Sequence, residues 1–222
     1  SRGGGAPGAM ARRFLAERRR DPYYRAARSD GLRSRAAFKL DHLARHYPIF
    51  RAGDRVLDLG AAPGGWSILA RRYVGPKGSV VAVDPRGFEP IEGVEWIRRS
   101  VGDPALPERL RGRRFEVVLT DMSPRISGAY ATDHARSVEL ARAGWRLARE
   151  LLAPGGSFVA KVFDGDLLPG LEEEIAAEVD SLSRTKPPAS RAPSSELYLI
   201  ALGFRLRAEG TTPAPPVRSS RR

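Results

Sequence analysis

The segment Arg55-Val56-Leu57-Asp58-Leu59-Gly60-Ala61-Ala62-Pro63-Gly64-Gly65-Trp66 constrains the fold more than any other part of the chain. Arg55 to Leu59 is a short, largely apolar run, the pattern of a parallel strand buried on both faces. Glycines at 60, 64 and 65 follow at once and remove the Cβ atoms that would hold a ligand away from the main chain. Helical spacing resumes from Trp66 to Tyr73, so strand, turn and helix form one unit. The turn of such a unit lies at the C-terminal edge of a sheet, where open α/β sheets bind their ligands.

The remaining pattern repeats that unit. A helix is expected over Ser34–His46, where Ala36, Ala37, Leu40, Leu43 and Ala44 recur at helical spacing. Strands are expected at 55–59, 79–84, 94–98, 115–121, 156–163 and 196–203, with helices at 66–73, 104–111, 132–152 and 167–182. Pro154-Gly155-Gly156 reads as a stop and turn after the long helix. A strand-like piece near 183–187 precedes the last strand, which suggests an antiparallel hairpin at one edge. The fold class is therefore α/β: a Rossmann-like, mostly parallel seven-stranded sheet with an antiparallel edge strand and helices on both faces. At 222 residues the chain suits a single domain. Its expected limits are 11–205, between a disordered extension at 1–10 and a disordered basic tail at 206–222. Met10 is a candidate start.

Composition excludes several classes. The chain has no cysteine, which rules out a disulfide framework and thiolate metal sites. His42, His46 and His134 are too scattered to suggest zinc, and no metal is expected. No apolar run approaches the roughly 20 residues that span a bilayer, and the N-terminus has no hydrophobic centre of a signal peptide. A cytoplasmic monomer without a membrane partner is expected. The formal net charge is +12. Residues 11 to 51 hold eleven arginines and one lysine against Glu17, Asp21, Asp30 and Asp41, so most of the excess lies in the first quarter. A polyanion, RNA above all, is the natural partner for such a concentration, and 11–50 is expected to be a helical RNA-binding segment. Tyr23, Tyr24 and Phe38 interleave with this charge; Phe38 reads better as core than as a base-stacking residue.

Within this frame a few polar residues stand out. Asp84 ends the second strand twenty positions after Gly64, where a carboxylate can accept both hydroxyls of a ribose. The turn departs from the G-x-G-x-x-G spacing of dinucleotide sites, since Ala62 and Pro63 interrupt it, which favours S-adenosylmethionine over NAD. Asp121 follows the strand Phe115–Thr120 and is expected at the mouth of the crevice. Lys161 sits within the apolar strand Ser157-Phe158-Val159-Ala160-Lys161-Val162-Phe163, an expensive place for a cation unless it is paired or used. Glu196 begins the last strand, and Lys39 lies on the first helix. Only four of the 38 basic residues are lysines: Lys39, Lys77, Lys161 and Lys186. Arginine cannot give up its proton near neutrality whereas a partly buried lysine can, so lysine at 39 and 161 against this background points to chemistry.

The segments 31–40 (GLRSRAAFKL), 58–67 (DLGAAPGGWS), 121–128 (DMSPRISG), 152–163 (LAPGGSFVAKVF) and 190–203 (SRAPSSELYLIALG) stand in the order found in one family. Over residues 11–204 the chain resembles the FtsJ/RrmJ-type ribosomal RNA 2′-O-ribose methyltransferases. By this resemblance Lys39, Asp121, Lys161 and Glu196 fill the catalytic tetrad. Gly64, Trp66, Asp84 and Asp121 fall at S-adenosylmethionine contacts. The resemblance implies methylation of a ribose, in a uridine, within large-subunit ribosomal RNA, with the large ribosomal subunit as partner. One departure is visible: Ser100 stands where the family carries an acidic residue near the adenine, and Asp103 is the nearest substitute.

The implied reaction is an in-line displacement in which a ribose 2′-oxygen attacks a sulfonium methyl group, with alignment supplying much of the rate. Lys161 is the expected proton acceptor, with Asp121 and Glu196 orienting the lysines. In an alternative, Lys161 stays charged and steers the hydroxyl while its proton leaves late. Rival functions are a 2′-O-methyltransferase acting on transfer RNA or another RNA, and a weakly catalytic ribosome-assembly factor that binds RNA.

Overall fold

The computed structural model of the protein describes residues 36–188 and 195–206. The expectations for the two termini, for most of the basic segment and for Tyr23 and Tyr24 lie outside the described residues. Along the chain run α1 (Ala36–His46), β1 (Arg55–Leu59), α2 (Gly65–Val74), β2 (Ser79–Val83), β3 (Val94–Ile97), the single turn α3 (Leu106–Arg109), β4 (Phe115–Thr120), α4 (Tyr130–Leu151), β5 (Leu152–Phe163), α5 (Leu168–Ala176), β6 (Val179–Thr185) and β7 (Glu196–Phe204).

Among the described residues all seven strands join one sheet in the order β3-β2-β1-β4-β5-β7-β6. The first five in this order pair in parallel, whereas β7 runs antiparallel to both β5 and β6. The expected sheet is present, with its antiparallel strand one place in from the edge and β6 outermost. From β1 the chain winds outward to β3 and then returns to β4 on the other side of β1. That reversal opens a crevice at the C-terminal ends of β1 and β4, the place where such sheets bind ligands.

Side chains alternate across a strand, and β1, β2, β4, β5 and β7 are buried on both faces, whereas the edge strands β3 and β6 are partly exposed. Leu57, Leu59, Val81, Val83, Phe158, Ala160, Leu199 and Ala201 share a core with Val138, Ala141, Trp145 and Ala148 of α4 and with Leu168, Leu171 and Ile175 of α5. Their alternates Val56, Val80, Val117, Leu119, Val159, Tyr198 and Ile200 pack with Leu40 and Leu43 of α1 and Trp66, Leu69, Ala70 and Val74 of α2. Phe38 is buried, as its spacing suggests.

Three segments depart from the sequence pattern. Of the helix expected over 104–111, only the single turn Leu106–Arg109 forms. The helix expected over 167–182 stops at Ala176, and residues from Val179 form a strand that the pattern places only near 183–187. Long-range pairing decides this: Val179 lies opposite Phe204 and Leu182 opposite Ala201, contacts that local spacing does not reveal. The strand expected from 156 begins at Leu152, directly after α4, with Leu152 opposite Phe115. Gly155, at φ 77°, interrupts the register between Phe115 and Val117. Pro154-Gly155-Gly156 is thus an irregularity inside β5 rather than a separate turn.

Candidate active site

Strand parity decides which charged residues meet. Lys161 has the parity of Val159, Glu196 that of Tyr198 and Ile200, and Asp58 that of Val56, so all three share the face covered by α1 and α2. The antiparallel register sets Lys161 opposite Tyr198 and Phe163 opposite Glu196. Helix α1 adds Lys39 from above, and Asp121 follows the last residue of β4. The four residues singled out as a tetrad are therefore drawn from four separate elements into one cluster.

Lys161 Nζ donates to both Asp121 Oδ1 and the Asp121 carbonyl, each at 3.0 Å, and its side chain is only 8% exposed. Lys39 pairs with Glu196, both half-buried. The Tyr198 hydroxyl joins these two ion pairs, lying 3.3 Å from Asp121 Oδ1 and 3.3 Å from Glu196 Oε1. Lys39 Nζ stands 6.0 Å from the centroid of the Tyr198 ring, which also packs on Trp66. Burial pushes the Asp121 carboxyl up, with Lys161 opposing and Glu196 assisting that shift. Burial beside two carboxylates holds the Tyr198 phenol well above its ordinary value, so it acts as a donor. Tyr198 carries no role in the sequence pattern. A signal is nevertheless there: two positions from Glu196, it has to share that residue's face.

Below this cluster, the glycine turn folds as expected. Gly60 (φ 74°) passes so close to Met122 that a Cβ there would meet its Cγ at 2.4 Å. Gly64 (φ 103°) takes the left-handed conformation at the entry of α2. Asp58 is fully buried and accepts a hydrogen bond from Ser67 Oγ at 2.6 Å through Oδ2, while its Oδ1 has no partner. Burial drives the Asp58 carboxyl up to about 7 against the Ser67 bond, with Asp121 and Asp84 adding to the shift. Asp58, Gly60, Ala61, Trp66 and Asp121 line one small cavity. Trp66 is thus both a core residue, 3% exposed, and a wall of that cavity.

An open cleft of about 540 Å³ continues from the turn along Asp84, Ser100, Val101, Met122 and Leu140, within the size range of small-molecule sites. Asp84 lies in it at the end of β2, accepting from the Ala62 N–H at 3.0 Å and from the backbone and side chain of Arg86. Burial opposes ionisation of Asp84, but the bonds from Arg86 and Ala62 outweigh it and hold the carboxyl below its ordinary value. Ser100 faces the cleft. Asp103 is engaged elsewhere, accepting from the Ala105 N–H and from Arg99. The loop from Asp121 to α4 is pinned by Asp133, whose carboxylate accepts from the Ser127 N–H and hydroxyl at 2.8 Å and from the Gly128 N–H at 3.1 Å. Among the described residues no group of His, Asp or Glu has the makings of a metal site.

The chain is similar to known proteins along most of its length. Residues 32–204 match the FtsJ-like methyltransferase family. The chain is 45% identical over 191 residues to a ribosomal RNA large subunit methyltransferase E of Halorubrum lacusprofundi, covering 83% of this chain and 71% of that protein. It is 45% identical over 192 residues to the protein of that name from Archaeoglobus fulgidus, covering 84% and 97% respectively. Among solved structures, a Plasmodium falciparum protein provisionally described as a ribosomal RNA methyltransferase superposes with a TM-score of 0.69 at 25% identity, over 79% of this chain and all of that one. A Thermotoga maritima S-adenosylmethionine-dependent O-methyltransferase shares the fold with a TM-score of 0.55 at 15% identity, over 76% and 66%. With a family match spanning the sheet from β1 to β7 and every residue of the buried Lys–Asp–Lys–Glu cluster, the chain belongs to the FtsJ-like methyltransferases.

Proposed function

We propose that the protein transfers a methyl group from S-adenosylmethionine to a ribose 2′-oxygen, in a uridine, of large-subunit ribosomal RNA. The observation that carries this reading is the buried pairing of Lys161 with Asp121 and of Lys39 with Glu196 beside a cleft of cofactor size. The relatives' names support the substrate, and the +12 net charge supports a polyanion.

The residues present fit the cofactor. Asp58 Oδ1 is a buried acceptor without a partner in the cavity beside the glycine turn, suited to a donor of the amino-acid portion. Asp84 suits the ribose hydroxyls, the backbone around Gly64 and the wall of Trp66 suit the turn of the ligand, and Ser100 suits the base. Bound S-adenosylmethionine supplies an electrophilic methyl carbon on a positively charged sulfur.

The rest falls to the tetrad. Two of the three donors of Lys161 go to Asp121, which fixes the ammonium and leaves its remaining donor for the incoming 2′-oxygen. Lys161 so placed orients the nucleophile and stabilises the charge that grows on it, while the hydroxyl proton leaves late towards Asp121. Lys39 and Glu196 brace the cluster from the far side through Tyr198. Alignment does most of the work, because oxygen and methyl carbon must meet in line.

The test is incubation with tritiated S-adenosylmethionine and ribosomal subunits, comparing wild type with Lys161→Ala. Alkali-resistant label in large-subunit RNA that is lost in the variant is the expected result. Label that alkali releases, or label confined to another RNA, would refute the reading.

A further inference from the structure

Asp84 carries more hydrogen bonds than a free ribose-binding carboxylate should. Oδ1 accepts from the Arg86 N–H at 2.8 Å and from Arg86 Nε at 3.1 Å. Oδ2 accepts from the Ala62 N–H at 3.0 Å and from the second terminal nitrogen of Arg86 at 3.2 Å. A carboxylate offers about four acceptor positions, and all are taken. Two of the bonds come from main-chain groups that cannot move away. The Asp84 corner is itself anchored, since Trp96 Nε1 donates to the Asp84 carbonyl at 3.1 Å. The other two bonds come from the Arg86 guanidinium, which also reaches the Ala62 carbonyl at 3.4 Å and whose side chain is 71% exposed. The movable part of the arrangement is therefore the guanidinium, and the fixed part is everything around it.

We propose that Arg86 is a built-in competitor of the cofactor's ribose: the diol reaches Asp84 only by displacing the Arg86 guanidinium into solvent. This inference rests on the reading of Asp84 as the ribose carboxylate. Arg86 thereby sets how strongly the site discriminates a ribose from a deoxyribose, because each hydrogen bond gained from the diol is offset by one given up by Arg86. Its pairing with Asp84 is accessible to salt, so screening weakens the competitor more than it weakens the uncharged diol.

The experiment is calorimetric titration of the protein with S-adenosylhomocysteine and with its 2′,3′-dideoxy analogue, which reads binding without turnover. Wild type, Arg86→Met and Asp84→Asn are compared at low and high salt. Releasing an ion pair whose guanidinium is largely exposed is worth up to about a fivefold change in affinity. Arg86→Met is therefore expected to bind S-adenosylhomocysteine more tightly, by up to about fivefold, with the dideoxy analogue unchanged, and to lose the gain in affinity that salt gives the wild type. Unchanged or weaker binding by Arg86→Met, while Asp84→Asn still loses discrimination between the two ligands, overturns the inference and leaves the ribose reading standing. If Asp84→Asn neither weakens binding nor alters discrimination, the ribose reading itself fails, and the inference with it.

Discussion

Residue by residue, the site is a set of charges that the fold forces into partnership. If Lys161 works as a fixed ammonium, Lys161→Ala should lose on the order of a hundredfold or more in kcat, with cofactor affinity in calorimetry nearly unchanged. Lys161→Arg separates the two mechanisms, since arginine keeps the charge but cannot accept a proton. Measurable activity in Lys161→Arg above that of Lys161→Ala supports orientation; equal loss supports general-base catalysis. Asp58 makes a pH prediction. Its folded carboxyl titrates near 7 against an ordinary 3.8, so the stability it contributes is fully present below about pH 4 and is lost as pH rises through 7. Asp58→Asn removes that titration. Urea unfolding between pH 5 and 8 should therefore show the variant gaining on the wild type as pH rises, by at most about 1.4 kcal/mol per pH unit. A constant gap would contradict the shift. Lys39 stood out only as a lysine among arginines and by the family resemblance, whereas Asp84, Asp121, Lys161 and Glu196 were legible in the chain because a charged residue at a strand end or inside an apolar run demands a reason. Tyr198 was not, because an aromatic inside a strand is ordinary and only its hydroxyl contacts at 3.3 Å distinguish it.

Among the elements, β1, α2, β2 and β4 follow the sequence pattern closely, being short and bounded by glycine, proline or charged residues. Helix α4 is the longest among the described residues, and its buried Val138, Ala141, Trp145, Ala148 and Leu151 recur every three or four residues. Its first turn also holds the loop that bears Asp121, through Asp133. The bonds from Ser127 and Gly128 keep the Asp133 carboxyl below its ordinary value. The support it gives is present above about pH 4 and fades as pH falls through its depressed folded value. Asp133→Ala should lower the thermal midpoint at pH 7 and reduce kcat while the cooperative unfolding transition persists. An unchanged kcat would show that the 121–128 loop keeps its geometry without this anchor. The antiparallel hairpin of β6 with β7 was legible, but the start of β6 was not, since Val179 to Leu182 read locally as helix and are set as strand by pairing with Phe204 to Ala201.

For the molecule as a whole, charge and topology divide the labour. The arginines at the start of the chain are expected to contact phosphates and supply affinity rather than sequence specificity. Replacing Arg18, Arg19 and Arg20 together by alanine should weaken binding to ribosomal RNA and flatten the log–log salt dependence by about 0.7 to 0.9 for each phosphate no longer neutralised, read by filter binding across a salt series. An unaltered slope would place the RNA elsewhere. The α/β class, the glycine turn at the C-terminal end of β1, the basic excess and the charged residues that matter are all properties of the linear chain. They depend on local periodicity, backbone permissiveness and composition, which need no neighbour to be defined. Which of those charges pair is another matter. Lys39 and Glu196 stand 157 positions apart, Lys161 and Asp121 meet through the parallel pairing of β4 with β5, and the Ala62 N–H reaches Asp84 across 22 positions. Such partnerships depend on strand order, register and face. Those are settled by long-range burial and hydrogen bonding, and they exist only once the sheet has formed.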